Sequence, residues 1–403
     1  MALAASHAAN QLDGEPVKIR ITVDPGVYKN GLAVAVPNTE GQRGNLVAGV
    51  LGAMIRRPDL RMEVLSAVHS DMIERARDFI RNKGASITYD PGRKDLYIEV
   101  EVVSDGGRAR AVVERGHTNL VLLEKDGVIV FEQEEGGQGE PSRTYREQLA
   151  ECTVSDLIDL IEAMDAEDLD AVRQGVEMNL RASEAGRELR KVGHYVSRLV
   201  EKGFLQNDVV TSSKVLTASA TDARMAGLSV PVMASGGSGN QGIVAILVPY
   251  NVGRYFEVEE NRILRSIALS HLMNSYIKCF TGDLSPLCGC AIAAGVGAAA
   301  AVVYQLKGRD LDKITLAVNS LISDLGGMLC DGAKGGCALK VVSSTDSAIR
   351  AAYMALNDHG IRETEGFVGR TAEETIRYFS RISRVGMATV DATMLEIMKG
   401  KML

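Results

Sequence analysis

The stretch LYIEVEVVSDGGRARAVVERGHTNLVLLEKDGVIVFE, residues 96–132, decides the fold class of this chain. Apolar and polar residues alternate along it with period two, and Asp105-Gly106-Gly107 and Asp126-Gly127 supply the chemistry of tight hairpin turns. It reads as a meander of four strands: Leu96 to Val103, Arg108 to Arg115, Leu120 to Lys125 and Val128 to Glu132. Working outward, Val17 to Val23 alternates in the same way and adds a strand. Asn45 to Ile55 and Asp71 to Asn82 carry helical spacing and would cover one face of the sheet. Residues 1–133 therefore read as an α+β domain, an antiparallel sheet with helices.

Glu134 to Ser142, EEGGQGEPS, is acidic and Gly-rich with a Pro, and reads as a linker. Residues 143–403 are patterned as helices almost throughout, at Glu147 to Met164, Asp165 to Lys202, Asn261 to Cys279, Leu287 to Leu306, Asp312 to Leu325, Ser344 to Leu356 and Ala372 to Gly386. One loop, Ala234 to Gly242, interrupts them. The fold class is thus α+β followed by a mostly α-helical domain, with no internal repeat.

The 403 residues are 46% apolar and 24% charged, which excludes a disordered chain. A net charge of −7 offers no electrostatic footprint for nucleic acid or an anionic membrane. The opening MALAASHAAN has no basic n-region, so it is no secretory signal, and the chain reads as cytoplasmic. The uncharged run Leu284 to Leu306 is long enough to span a bilayer, but its Ala and Gly content reads as a buried central helix. With 41 Gly, no Trp and 4% aromatics, the core must pack small and aliphatic side chains at close backbone range.

Four of the six cysteines fall in two places, Leu287-Cys288-Gly289-Cys290 and the C-x6-C loop from Cys330 to Cys337. Glycines allow such a loop to wrap its backbone around a large inorganic group. Three thiolates suit a [4Fe-4S] cluster with one iron left open, whereas structural zinc wants four ligands. Spacing alone leaves the cluster, a zinc site and plain buried thiols open. Ser285 and Pro286 read as the N-cap and first residue of the small-residue helix, placing Cys288 in its first turn, where the helix dipole favours a thiolate. Cys290, two residues on, would then face elsewhere, so Cys288 is preferred as the ligand and Cys290 is its alternative. Cys152 and Cys279 read as small core residues.

The loop at 235–242 contains G-x-G-x-x-G, but Pro231 before it and Pro249 after it argue against a dinucleotide-binding strand–loop–helix. The alternative is a backbone nest for a small anion such as a carboxylate, with Asn240 and Gln241 as donors. Loops 24–31 and 36–39 have ordinary turn residues. His117-Thr118-Asn119 presents three polar side chains at one end of the sheet, and His271 reads as a core-facing histidine.

The strings YKNG (28–31), VPNT (36–39), HTN (117–119), ASGGSGNQG (234–242), SPLCGCAIAAG (285–295) and MLCDGAKGGCALK (328–340) occur in one order. Together they resemble the L-cysteine desulfidase family, related to the iron-sulfur L-serine dehydratase alpha chain, over Val17 to about Met387. The resemblance implies a [4Fe-4S] lyase that converts L-cysteine to pyruvate, ammonia and hydrogen sulfide, or dehydrates L-serine. It implies Cys288, Cys330 and Cys337 as cluster ligands, with the open iron as Lewis acid. It further implies substrate contacts from Lys29, Asn30, Asn38, Thr39, His117, Thr118, Asn119, Ser238, Asn240 and Gln241. Members of the family usually carry a Gly-Cys-Thr-Glu-Pro string just ahead of a segment similar to Ala2 to Ala9, and its cysteine is the presumed proton acceptor. That string is missing here, so a truncated or misassigned start is expected; were the shorter chain the true one, His117 and Lys334 would be the replacement bases to test first. A catalytically silent cluster-binding paralogue is the alternative, and a dinucleotide-dependent oxidoreductase stands behind it. The expected partner is a small amino acid, and a homo-oligomer stays open.

Overall fold

The computed structural model describes residues 1–93, 95–133, 144–282 and 284–400. The linker reading at 134–142 lies outside the described residues. Six strands form one sheet: β1 (Pro16–Val23), β2 (Ala85–Tyr89), β3 (Tyr97–Ser104), β4 (Gly107–Glu114), β5 (Leu120–Lys125) and β6 (Val128–Glu132), in the order β2-β1-β3-β4-β5-β6. The meander forms as the alternation requires, and β1 joins it antiparallel to β3 with Ile21 opposite Val100. The sheet is nevertheless mixed, because β2 lies parallel to β1 with Ile21 opposite Ile87. A parallel neighbour needs a crossover rather than a hairpin. Here the crossover carries α2 (Pro25–Gly31), α3 (Asn45–Ile55) and α4 (Ser70–Arg81).

A further helix, α1 (Ala2–Ala9), is packed into the core under β3 and β4. Its Ala4, Ala5, Ala8 and Ala9 are buried with Val100, Val102 and Ala109. Small residues make this possible: a Cβ on Gly52 of α3 would overlap the carbonyl oxygen of Ala2. The opposite face of the sheet is polar. Arg110 on β4 donates to Glu99 at 2.9 Å and Glu124 at 3.0 Å on its two neighbours, the cross-strand pairing expected of a solvated face.

The helical part runs through α5 (Tyr145–Glu151), α6 (Val154–Glu162), α7 (Ala166–Arg187), α8 (Val192–Glu201), α9 (Val209–Met225), α10 (Gly239–Tyr255), α11 (Glu260–Thr281), α12 (Ala293–Lys307), α13 (Leu311–Leu325), α14 (Cys337–Leu356), α15 (Ala372–Arg381) and α16 (Val390–Gly400). At the centre stands α12, buried from Ala293 to Gln305 and surrounded by α10, α11, α13 and α14. The uncharged run is therefore a core helix, and no described helix is long and apolar enough to cross a membrane.

The structure divides both long amphipathic segments. Thr153 and Asp156 form a capping box that starts α6. Farther on, α7 and α8 bend around α9. A Cβ on Gly186 would overlap the Ser219 carbonyl, and one on Gly193 would overlap the Ser219 hydroxyl. Five helices are additions to the sequence reading: α1, α2 in place of the loop expected at 24–31, α9, α10 and α16. Of these, α10 is buried from Gly239 to Pro249, and such a helix has no polar stripe to betray its period. The last helix, α16, returns to the sheet, packing on α2 and burying Leu395 in the sheet's core.

Candidate functional site

Backbone pairing between two distant segments builds the cysteine site. Leu287 bridges Leu329, Cys288 N donates to Met328 O at 2.9 Å, and Cys330 N donates to Pro286 O at 2.7 Å. Those groups are thereby withdrawn from helix formation, so the small-residue helix begins at Ala293 and not at Pro286. Cys288 sits in a turn ahead of it, closed by Ala291 N and Ile292 N on Cys288 O. The first-turn reading and its helix-face argument are corrected accordingly: the sulfurs of Cys288 and Cys290 lie 3.2 Å apart and share one location. Cys337 opens α14, with its sulfur 3.7 Å from Gly332 O. Cys152 and Cys279 each donate to a carbonyl of their own helix.

The thiols share one electrostatic field. Hydrogen bonding from Cys290 brings Cys288 down to about 7 against the opposing effect of burial, with Lys340 assisting. The same contact pushes Cys290 well above the ordinary thiol value, and burial and the charges of Cys337 and Cys330 add to it. Burial raises Cys330, opposed by Lys29, and raises Cys337, opposed by the Lys334 backbone and side chain. Between Cys330 and Cys337, burial of Asp331 is outweighed by Lys334 and Lys340, which hold its carboxyl at about 2. Lys340 bonds Asp331 and Leu329 O at 2.6 Å each.

Among the described residues, no three His, Cys, Asp or Glu side chains converge on a point fit for a single metal ion. That argues against a preformed tetrahedral zinc site. A cubane gives each cysteine a different iron, so its ligands need not share one centre. Four thiols, three of them buried, are the soft donor set such a cluster takes. The residues present fit a [4Fe-4S] cluster.

A polar loop faces the Cys288 turn. Ser235 and Ser238 exchange backbone hydrogen bonds at 3.1 and 3.0 Å around Gly236 and Gly237, both at positive φ, and α10 starts at once. Residues 226–234 form no strand, so the loop has no dinucleotide-binding context. Gln241, in the first turn of α10, lies against Gly289, where a Cβ would overlap its Nε2. Its Oε1 is buried without a partner, as is Oδ1 of Asn274, whose Nδ2 donates to Ser235 Oγ at 2.9 Å. Asn240 Oδ1 accepts from Arg224 at 3.1 Å.

The expected substrate residues divide into two groups. Lys29 is fully buried beside Cys330 and donates to Asp391 of α16 at 2.6 Å and to Ser285 O at 3.5 Å. Asn30 O accepts from Ala333 N at 3.3 Å, inside the cysteine loop. Exposed His117 has its Nε2 3.9 Å from where a Cβ on Gly237 would be. Ser238, Asn240 and Gln241 belong to the polar loop. Asn38 instead donates to Leu65 O, 27 residues on, and Thr39 serves its own turn by donating to Val36 O. Thr118 is exposed, and Asn119 closes the β4–β5 turn on Glu114 O. Lys334 is engaged by Asp331 and Gly332 O. Sequence reasoning missed Arg224, Asn274, Lys278, which bonds Gly236 O, and Asp391. Each lies in a helix whose local pattern gives no sign of the site.

A family model described as the serine dehydratase alpha chain matches residues 60–396. The chain belongs to the serine dehydratase alpha chain family. It is 61% identical to a UPF0597 protein of Geobacter sulfurreducens and 54% identical to one of Elusimicrobium minutum, each comparison covering 100% of this chain and 94% of the relative. A UPF0597 protein of Clostridium tetani is 36% identical over 99% of this chain and 93% of its own length. No solved structure matches. In this serine dehydratase family member the matched range holds the cysteines and the polar loop, whereas Lys29, Asn30, Asn38 and Thr39 precede it.

Proposed function

We propose that the protein is an iron-sulfur-dependent amino-acid lyase that eliminates hydrogen sulfide from L-cysteine, or water from L-serine, and yields pyruvate and ammonia. The observation that carries this reading is the backbone pairing of 286–288 with 328–330, which sets the Cys288–Cys290 pair beside the Cys330–Cys337 loop, with Gln241 of the polar loop against Gly289. Cys288, Cys330 and Cys337 would hold a [4Fe-4S] cluster, with Cys290 as the alternative to Cys288. When bound, such a cluster supplies a Lewis-acidic iron that polarises the departing thiol or hydroxyl.

The chain's own residues do the rest. Asn240, Gln241 and the loop backbone orient the amino acid. A base takes the α-proton, the Cα–H electrons form the Cα–Cβ double bond, and the Cβ–S or Cβ–O bond breaks toward the leaving group. The enamine that remains hydrolyses to pyruvate and ammonia with one water. Of the two candidate bases, His117 stands beside Gly237 of the polar loop and is preferred for that placement.

Anaerobic reconstitution followed by pyruvate and sulfide assays on L-cysteine and L-serine tests the proposal. Brown protein with turnover is expected, and Cys330→Ala and Cys337→Ala should each abolish the visible absorption while Cys152→Ala keeps it. Colourless, iron-free protein would overturn the reading. Colour without turnover would favour the cluster-binding paralogue.

A further inference from the structure

Arg224 lies in the last turn of α9, outside every motif discussed above. A guanidinium has five N–H donors. Among the described residues its side-chain acceptor is Asn240 Oδ1, at 3.1 Å, and no carboxylate pairs with it. The side chain is built into the loop and does not merely lie on it. A Cβ on Gly239 would overlap Arg224 Nε and stand 3.0 Å from Cδ, so the loop has no side chain where the arginine passes.

Burial presses the Arg224 pKa below its ordinary value, and the thiols Cys337 and Cys290 oppose that effect. The group is a half-buried cation against the polar loop, its charge felt by the cysteine site. A half-buried arginine whose side-chain acceptor is an amide oxygen and not a carboxylate is suited to take an anion. Close by are two buried oxygens that lack donors, Gln241 Oε1 next to Asn240 and Asn274 Oδ1 beneath Ser235. A cation with no carboxylate partner and two buried acceptors short of donors complement the two charged ends of an α-amino acid.

Resting on the lyase reading, we propose that Arg224 is a specificity-determining residue that receives the α-carboxylate of the substrate, while Gln241 Oε1 and Asn274 Oδ1 receive its ammonium group. An arginine takes a carboxylate through two parallel N–H···O bonds, which fixes direction as well as affinity. The site would then select free amino acids and discriminate against thiols that lack a carboxylate.

The test compares 3-mercaptopropionate, which keeps the carboxylate, with cysteamine, which keeps the ammonium. Binding of each is measured by calorimetry to anaerobically reconstituted full-length protein and to the cluster-free chain, for wild type, Arg224→Gln and Arg224→Lys. Arg224→Gln should weaken 3-mercaptopropionate about 10- to 100-fold, the loss expected for charge-assisted hydrogen bonds. Cysteamine should change by less than about threefold, visible absorption should stay at the wild-type level, and Arg224→Lys should fall between. Equal weakening of both ligands, or loss of absorption in Arg224→Gln, would overturn the proposal in favour of a structural or counter-ion role. A wild type that takes up no cluster would sink the lyase reading, yet the carboxylate preference of the cluster-free chain would still decide for or against Arg224.

Discussion

Replacing Gly332 by alanine should separate the cysteine loop from α2. Gly332 has a φ of +92°, a region L residues rarely adopt, and an added Cβ would overlap Lys29 O while standing 3.2 Å from Lys29 C and 3.5 Å from Asn30 Cα. The left-handed backbone costs about 1–2 kcal/mol. Overpacking against main chain, which has no rotamer in which to retreat, costs about 1–3 kcal/mol more. If the loop moves to relieve this, the Ala333 N to Asn30 O bond at 3.3 Å is the first to go, and Cys330 shifts with it. Gly335→Ala in the same loop is the internal control, because its Cβ would meet nothing within 4 Å. Urea unfolding and visible absorption after anaerobic reconstitution read the two variants side by side. Gly332→Ala should lose about 2–5 kcal/mol, or most of its absorption where the loop relaxes, while Gly335→Ala stays within about 0.5 kcal/mol. Indistinguishable behaviour of the two would refute the claim that contact with α2 organises the cysteine loop.

Three further outcomes are expected. Asp391→Ala leaves the buried Lys29 ammonium without its partner and should cost about 3 kcal/mol in urea unfolding, whereas Lys29→Met with Asp391→Leu should recover much of it; additive losses in that double-mutant cycle would count against a coupled pair. His271 falls from 6.5 to about 4 through burial alone, so the unfolded chain takes up its proton first as pH drops. Stability is then full above 6.5 and declines toward pH 4, by at most about 3 kcal/mol, a decline His271→Phe should flatten in unfolding curves taken across that range. Gly289→Ala meets only a side chain, the Gln241 amide with Cδ at 3.1 Å, so unfolding should shift by less than about 1 kcal/mol while the KM for L-cysteine rises; an unchanged KM would remove Gln241 from the substrate site.

The meander was legible because Ile98, Val100 and Val102 face the core while Glu99 and Glu101 face water, so the period is printed in the residues themselves. β2 escaped the reading because it has only five residues and pairs in parallel, which leaves no hairpin turn between partners to flag it. In the helical part, Thr153 and Asp156 did carry a readable start signal, a capping box in the middle of what the periodicity alone joined into one segment. α10 left no such trace, since its buried positions surround the whole helix and Pro249 within it argues locally for an end.

The cysteine site shows where local reading stops. Ser285-Pro286 is a sound helix-start signal, yet the start lies at Ala293, because Leu287 and Cys288 spend their backbone groups on residues some forty positions later in the chain. No cap preference can foresee that, since the competing partner is set by topology. The consequence is chemical as well as structural: a first-turn Cys288 would have faced away from Cys290, whereas the turn that replaces it brings their sulfurs to 3.2 Å and lets one thiol stabilise the other's thiolate. Arg224 was hidden for the same reason. A single arginine among the small polar residues of α9 carries no local sign of a site, and only the bare backbone of Gly239, fifteen residues on, reveals that it packs against the loop. Identities of candidate ligands can thus be read along the chain, but which groups face one another depends on long-range backbone pairing and on where glycine leaves room.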